Sequence, residues 1–314
     1  MTMKYFALFL FFLAMNVYSS NEATAYPWPV SSTDTQHPIV ATVGEYRAGH
    51  FHAGVDIAEP VGTNVYPAVS GIITQTSDSA IEDGHIYIDG SDGIEYRYFH
   101  IKRKSTLQVG QHATASQTLL GGIGNTSSPH LHFEEERGGY NPLRTGGLTP
   151  FVDNTDPVIE SVDFWAQGTD NQLTGSLYGK VDLRVDAYDP RTSATGGNAG
   201  GHCGVYSIAI EFLKGGQRVG DRIAYHTYNR IPPSPLNIVY ATGSSMSNFL
   251  YWATNDPFNE PYNKYWNTKQ RSGQNYTVDA RIPDEAMYPE GNLMIRVIVE
   301  DIRGNSATHD IGQQ

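Results

Sequence analysis

The chain has 314 residues, 39% of them hydrophobic and 17% charged, with a formal net charge of −12. That length can bury more than one core, and that composition excludes a disordered chain. The acidic balance excludes nucleic-acid binding through phosphates, which needs clustered Lys and Arg, and simple attraction to an anionic membrane.

The chain opens "MTMKYFALFLFFLAMNVYSSNEATA". Lys4 supplies a positive start, an apolar run extends from Tyr5 to about Val17, and Ala23-Thr24-Ala25 follows. This is the layout of a secretory signal over residues 1–25, cleaved after Ala25, with the Ser19-Ser20 region as a competing site. The run is short for a membrane span, which needs about 20 apolar residues. The expectation is an exported protein, periplasmic or extracellular and wall-associated, with no membrane attachment after cleavage.

Residues 26–150 predict an all-β domain. "TNVYPAVSGIITQT", "HIYIDG", "IEYRYFHI" and "PHLHFEEE" read as strands separated by Gly-containing turns. "NPLRTGGLTPFVDNTDP" at 141–157 has the Pro, Gly and Asn density of a linker. Residues 155–314 resume a β pattern. In "GKVDLRVDAYD", Val181, Leu183 and Val185 face one way and Asp182, Arg184 and Asp186 the other. Such spacing predicts a β-sandwich of immunoglobulin or fibronectin type. The aromatic stretch 251–267 reads as a long ordered loop at one end of it. A single cysteine, Cys203, excludes an internal disulfide and reads as a small buried residue.

The chemistry-bearing residues lie in the first domain. "HAGVD" sets His52 four residues before Asp56, with Gly54 between them so that the chain can curve both toward one point. "YRYFHI" supplies His100, expected on one face with Tyr96 and Tyr98. "PHLHFE" supplies His130 and His132, which point the same way on a strand. A catalytic zinc keeps three protein ligands and one open position. His52, Asp56 and one of His130 and His132 meet that need, leaving two histidines for proton transfer and charge stabilisation. Each motif alone recurs by chance; their combination on strand-like segments favours the metal. His50 reads as a rim residue or alternative ligand. Glu134–Glu136 read as a solvated charge run, with Glu134 on the face where it would orient His132. The remaining histidines read as surface or structural, and Tyr98 as a packing residue.

"HAGVDIAEPVGTNVYPAVSG", "YRYFHI", "GGIGNT" and "PHLHFE" together resemble the lysostaphin-type zinc endopeptidases, peptidase family M23, over roughly residues 40–145. The resemblance implies His52, Asp56 and His132 as zinc ligands, with His100 and His130 as the non-ligand catalytic histidines. It further implies an antiparallel β-fold with a groove, and hydrolysis of peptide bonds in the stem peptides or cross-bridges of bacterial peptidoglycan. Ser127-Ser128 stands where the family often has glycine, a change expected to reshape one groove wall. Two other readings compete: a catalytically silent wall-binding or regulatory protein of the same fold, and an adhesion scaffold working through its second half.

Overall fold

The computed structural model describes residues 25–78, 84–174, 177, 179–190, 201–268 and 293–312. The signal-peptide segment lies outside the described residues, apart from its last position. Among the described residues, no helix is long and apolar enough to cross a membrane.

The first half contains β1 (Ile39–Ala41), β2 (Tyr46–Arg47), β3 (His50–Phe51), β4 (Val55–Ile57) and β5 (Asn64–Val65). It continues with β6 (Gly71–Ser77), β7 (Gly84–Gly90), β8 (Glu95–Arg103), β9 (His112–Ala113), β10 (Gly121–Ile123) and β11 (Leu131–Glu135). An antiparallel sheet runs β1-β4-β11-β8-β7-β6-β9, with β10 bridging β5 and β8. Period-2 alternation sorts its two faces. Val55 and Ile57 of β4, Ile86 and Ile88 of β7, and Leu131 and Phe133 of β11 are buried in one core. Phe133 lies against Tyr96, Tyr98 and Tyr26 there. The intervening Asp56 and His132 therefore project from the opposite face.

The sequence reads "TNVYPAVSGIITQT" as one strand, but it forms β5 and β6 with Tyr66–Ser70 between them. Pro67 has no N–H for a ladder, which ends the pairing there. The stretch expected to be a linker is partly packed, with Leu143 and Leu148 in the first core.

The second half contains β12 (Val158–Ala166), β13 (Gly179–Pro190), β14 (His202–Cys203), β15 (Ser207–Lys214) and β16 (Gln217–Thr227). A single helical turn α1 (Leu236–Val239) precedes β17 (Leu250–Trp252), β18 (Trp266–Thr268), β19 (Leu293–Glu300) and β20 (Ser306–Gly312). One antiparallel sheet is built on β13, which pairs with β12, β14, β17 and β18; the other runs β16-β15-β19-β20. Val181, Leu183 and Val185 of the first sheet share a core with Ile208, Ile210, Phe212 and Val297 of the second. The stretch 251–267 is not simply a loop. Its two ends belong to β17 and β18, which pair in succession along the same long strand.

The halves are built into one another. Tyr46 and Phe51 of the first half pack on the second core. Cys203 is buried in the first core, with Ile302 packed against it. Asn141 donates its backbone N–H to Asn229 and its side-chain N–H to the Tyr228 carbonyl.

Candidate metal centre

The antiparallel register of β4 and β11 sets His132 directly opposite Asp56. His52, just before β4, completes the group. Its Nε2 lies 3.0 Å from Asp56 Oδ1 and 2.9 Å from His132 Nδ1, and His132 Nδ1 lies 2.8 Å from the same Asp56 oxygen. Three potential ligand atoms, two nitrogens and one oxygen, thus converge on one point.

The other nitrogen of each ring is tied down. A carbonyl can only accept, so His52 Nδ1 carries hydrogen and donates it to the Thr42 carbonyl at 2.8 Å. His132 Nε2 donates to Glu134 Oε1 at 2.9 Å. These bonds fix each tautomer and leave the inward nitrogen as a lone-pair donor, the arrangement that outer partners give metal-binding histidines. Glu134 is buried, and its second oxygen faces Arg97 at 3.7 Å. The reading of a solvated charge run therefore fails for Glu134, and for Glu135, which accepts from Tyr26 and Arg144 in the interior.

Electrostatics at the cluster favour a cation. Burial pushes the Asp56 carboxyl up, but His52 and the hydrogen bond from His132 outweigh it and hold the group well below its ordinary value. Burial pulls His132 down, yet its bonds to Asp56 and Glu134 prevail and raise it to about 9. The proton that His132 shares with Asp56 occupies the place of a cation; with zinc in its stead, two neutral imidazoles and one carboxylate at this spacing match its usual ligands, His nitrogen and Asp oxygen.

The cluster lies in a groove of about 760 Å³ that is also lined by Phe99, His100, His130 and Met246. His130 Nδ1 donates to the Ser128 carbonyl at 2.7 Å, and its Nε2 lies 3.6 Å from Asp56 Oδ1. Burial, the largest influence, lowers the His130 pKa and favours the neutral ring. The His100 and His130 rings are 4.6 Å apart between centroids.

His100 does not share the face of Tyr96 and Tyr98. Those two are buried in the core, and Tyr98 packs there while accepting the Ala68 N–H. His100 has φ of +60°, and pairing with β7 is irregular at this point, where Phe99 opposes His85 and Ile101 opposes Gly84. One extra residue on β8 makes a bulge that breaks the alternation, so Phe99 and His100 both line the groove. The left-handed conformation is costly for a non-glycine residue, although His tolerates it better than most.

Gly54 has a different role from the one its sequence suggests. Its backbone is not left-handed. Instead, a Cβ there would lie 2.3 Å from the Phe133 carbonyl oxygen of β11. The glycine permits close approach of the two ligand-bearing strands. His50 is exposed on the groove rim and lies outside the ligand cluster. Sequence reasoning missed Thr42, Glu45, Arg47 and Met246, which reach the groove or its ligands. A charged pair within "GEYRAGH", so near the first ligand, was the available signal for Glu45 and Arg47.

Residues 50–143 match Peptidase family M23. Among curated proteins, the chain is similar to the peptidoglycan DD-endopeptidase ShyC of Vibrio cholerae. They are 32% identical over 100 residues, which is 31% of this chain and 22% of that protein. It is also similar to the DD-carboxypeptidase/endopeptidase Mpg of Neisseria meningitidis, 29% identical over 122 residues, or 38% of this chain and 27% of that protein. The matches thus span only 22% to 27% of these relatives' own length. The catalytic domain of the antimicrobial peptidase lysostaphin from Staphylococcus simulans is similar at 29% identity, over 32% of this chain and 79% of that one, with a TM-score of 0.28. All five histidine and aspartate positions singled out above fall inside the matched segment, and residues 50–143 are a peptidase family M23 domain.

Proposed function

We propose that the protein is an exported, zinc-dependent endopeptidase that hydrolyses peptide bonds in the stem peptides or cross-bridges of bacterial peptidoglycan. The observation that carries this is the convergence of His52 Nε2, Asp56 Oδ1 and His132 Nδ1 within 4.8 Å in the groove, all three residues lying inside the M23 segment. These three residues are the proposed ligands. A zinc ion held there supplies Lewis acidity, lowering the pKa of water and polarising a carbonyl.

The chain's own groups do the rest. His52 and His132 are held in the ligating tautomer by Thr42 and Glu134. His130 presents its unprotonated Nε2 to the groove as general base, then returns the proton to the leaving amine. His100, one ring away, donates to the oxygen on which negative charge develops. The second half, residues 155–314, is assigned as a β-sandwich module of immunoglobulin or fibronectin type that serves substrate placement. Export rests on the pattern of residues 1–25.

Metal analysis of the mature chain should give one zinc per molecule, and digestion of purified peptidoglycan should release fragments whose masses identify the bond cut. Less than about a tenth of an equivalent of zinc, with no uptake on addition, would refute the reading.

A further inference from the structure

The segment carrying the first ligand is held by a buried carboxylate that the sequence does not single out. Glu45 is only 2% exposed. Its Oε1 accepts two backbone N–H groups, from Thr42 at 2.7 Å and from Gly204 at 2.9 Å. Its Oε2 accepts from Arg47 at 3.2 Å, and the other terminal nitrogen of Arg47 lies 3.5 Å from Asp56 Oδ2. Thr42 is the residue whose carbonyl fixes the His52 tautomer. The backbone of residues 44 and 45 also exchanges hydrogen bonds with that of His52. One carboxylate therefore braces two of the three ligand side chains: His52 through Thr42, and Asp56 through Arg47.

The brace is completed from the other half of the chain. Gly204 lies 159 positions away from Glu45 in sequence. Tyr240, also of the second half, donates its hydroxyl to the Gly44 carbonyl at 2.8 Å, and its ring stands 5.6 Å from that of Tyr46. A buried carboxylate keeps its place only if its hydrogen-bond capacity is met, and Gly204 meets part of it.

We propose that Glu45 is a positioning residue for the metal site, and that its contact with Gly204 makes the affinity of that site depend on the second half of the chain. This rests on the zinc-ligand reading above. Partners in such outer positions are worth about 10- to 100-fold in metal affinity.

The test uses the mature full chain, with zinc affinity read by competition against a chromophoric chelator and ligand geometry read from the visible spectrum of the cobalt-substituted protein. Glu45→Gln sets an amide N–H against Arg47 and should turn that side chain away. Gly204→Ala acts from the far half, because its added carbon would lie 2.8 Å from Glu45 Cγ. Both should weaken zinc binding about 10-fold or more and shift the cobalt bands. Ile86→Val serves as the structural control. It trims a core side chain of β7 that makes no contact with the brace, and should lower thermal stability while leaving zinc affinity unchanged. If Glu45→Gln fails to fold, Gly204→Ala and Arg47→Met carry the test. Folded variants with zinc affinity within about twofold of the parent and an unchanged cobalt spectrum overturn the proposal but leave the zinc reading intact. A parent chain that takes up no zinc overturns both.

Discussion

Gly54→Ala is the smallest change that tests whether strand spacing builds the site. The added methyl carbon would sit 2.3 Å from the Phe133 carbonyl oxygen and 2.9 Å from its carbon. Close carbon–oxygen contacts between strands run about 3.3–3.6 Å, so β4 and β11 must separate by roughly 1 Å. The obstacle is backbone, held by Phe133 in the core, and no rotamer change relieves it. Overpacking of this kind costs about 1–3 kcal/mol. At roughly 2–4 °C per kcal/mol for a unit of this size, the zinc-free protein should melt about 2–12 °C lower. The opening falls between the strands whose register sets His132 opposite Asp56. Metal–ligand distances tolerate only about ±0.2 Å, so zinc affinity should fall by more than 10-fold. Calorimetry without metal and chelator competition with it measure the two effects separately. Parental melting and parental affinity together would show that the strands are not in close approach at Gly54.

His132→Ala should abolish both zinc binding and peptidoglycan hydrolysis, whereas His130→Ala should retain zinc and lose activity by about 10²–10⁴-fold; metal content and rate measured on the same preparations check this, and the opposite assignment of zinc loss refutes it. At His100, whose φ is +60°, Gly should be more stable than Ala by about 1 kcal/mol although both remove the imidazole, a difference that denaturant titration resolves and that vanishes if the bulge is absent. His226 is fully buried between the Tyr228 hydroxyl and the Trp252 carbonyl, and burial lowers it from 6.5 to about 4. The unfolded chain takes up this proton first as pH falls, so stability is present above about pH 6.5 and lost between there and pH 4, by about 3 kcal/mol; His226→Gln should flatten that part of the curve, and an unchanged slope counts against it.

Sequence periodicity works best where one face of a strand is a core. Val55 and Ile57 alternate around Asp56, and Leu131 and Phe133 around His132, so the ligand side chains can be assigned a face before any fold is known. The same rule fails at His100. A single inserted residue reverses the face, and nothing in "YRYFHI" announces it: the run alternates without Gly or Pro, and His tolerates the left-handed backbone without requiring it. Gly54 is legible as a constrained position, but its reason is a neighbouring strand 79 positions on, not its own dihedrals. Glu134 looks like one of three solvated acids until the fold buries it against His132 and Arg97. The Glu45–Gly204 contact is not legible locally: the charged pair in "GEYRAGH" draws notice to Glu45, but its partner is a glycine 159 positions away.

The dependence of one half on the other has a physical origin in the segment between Thr42 and His52. Its two strands, β2 and β3, have two residues each and, among the described residues, pair only with one another. A ladder that short has little stability of its own in water. Its apolar residues, Tyr46 and Phe51, are not inserted into the core of the M23 sheet but lie on the core of the second half, against Tyr240. The sheet of the first half thus fixes Asp56 and His132 through continuous pairing with its core. His52 enters the cluster from a hairpin whose anchorage is supplied by the second half. A ligand triad drawn from both kinds of support is as rigid as the weaker one, so the packing of the second half enters the metal affinity even though its residues supply none of the proposed ligands.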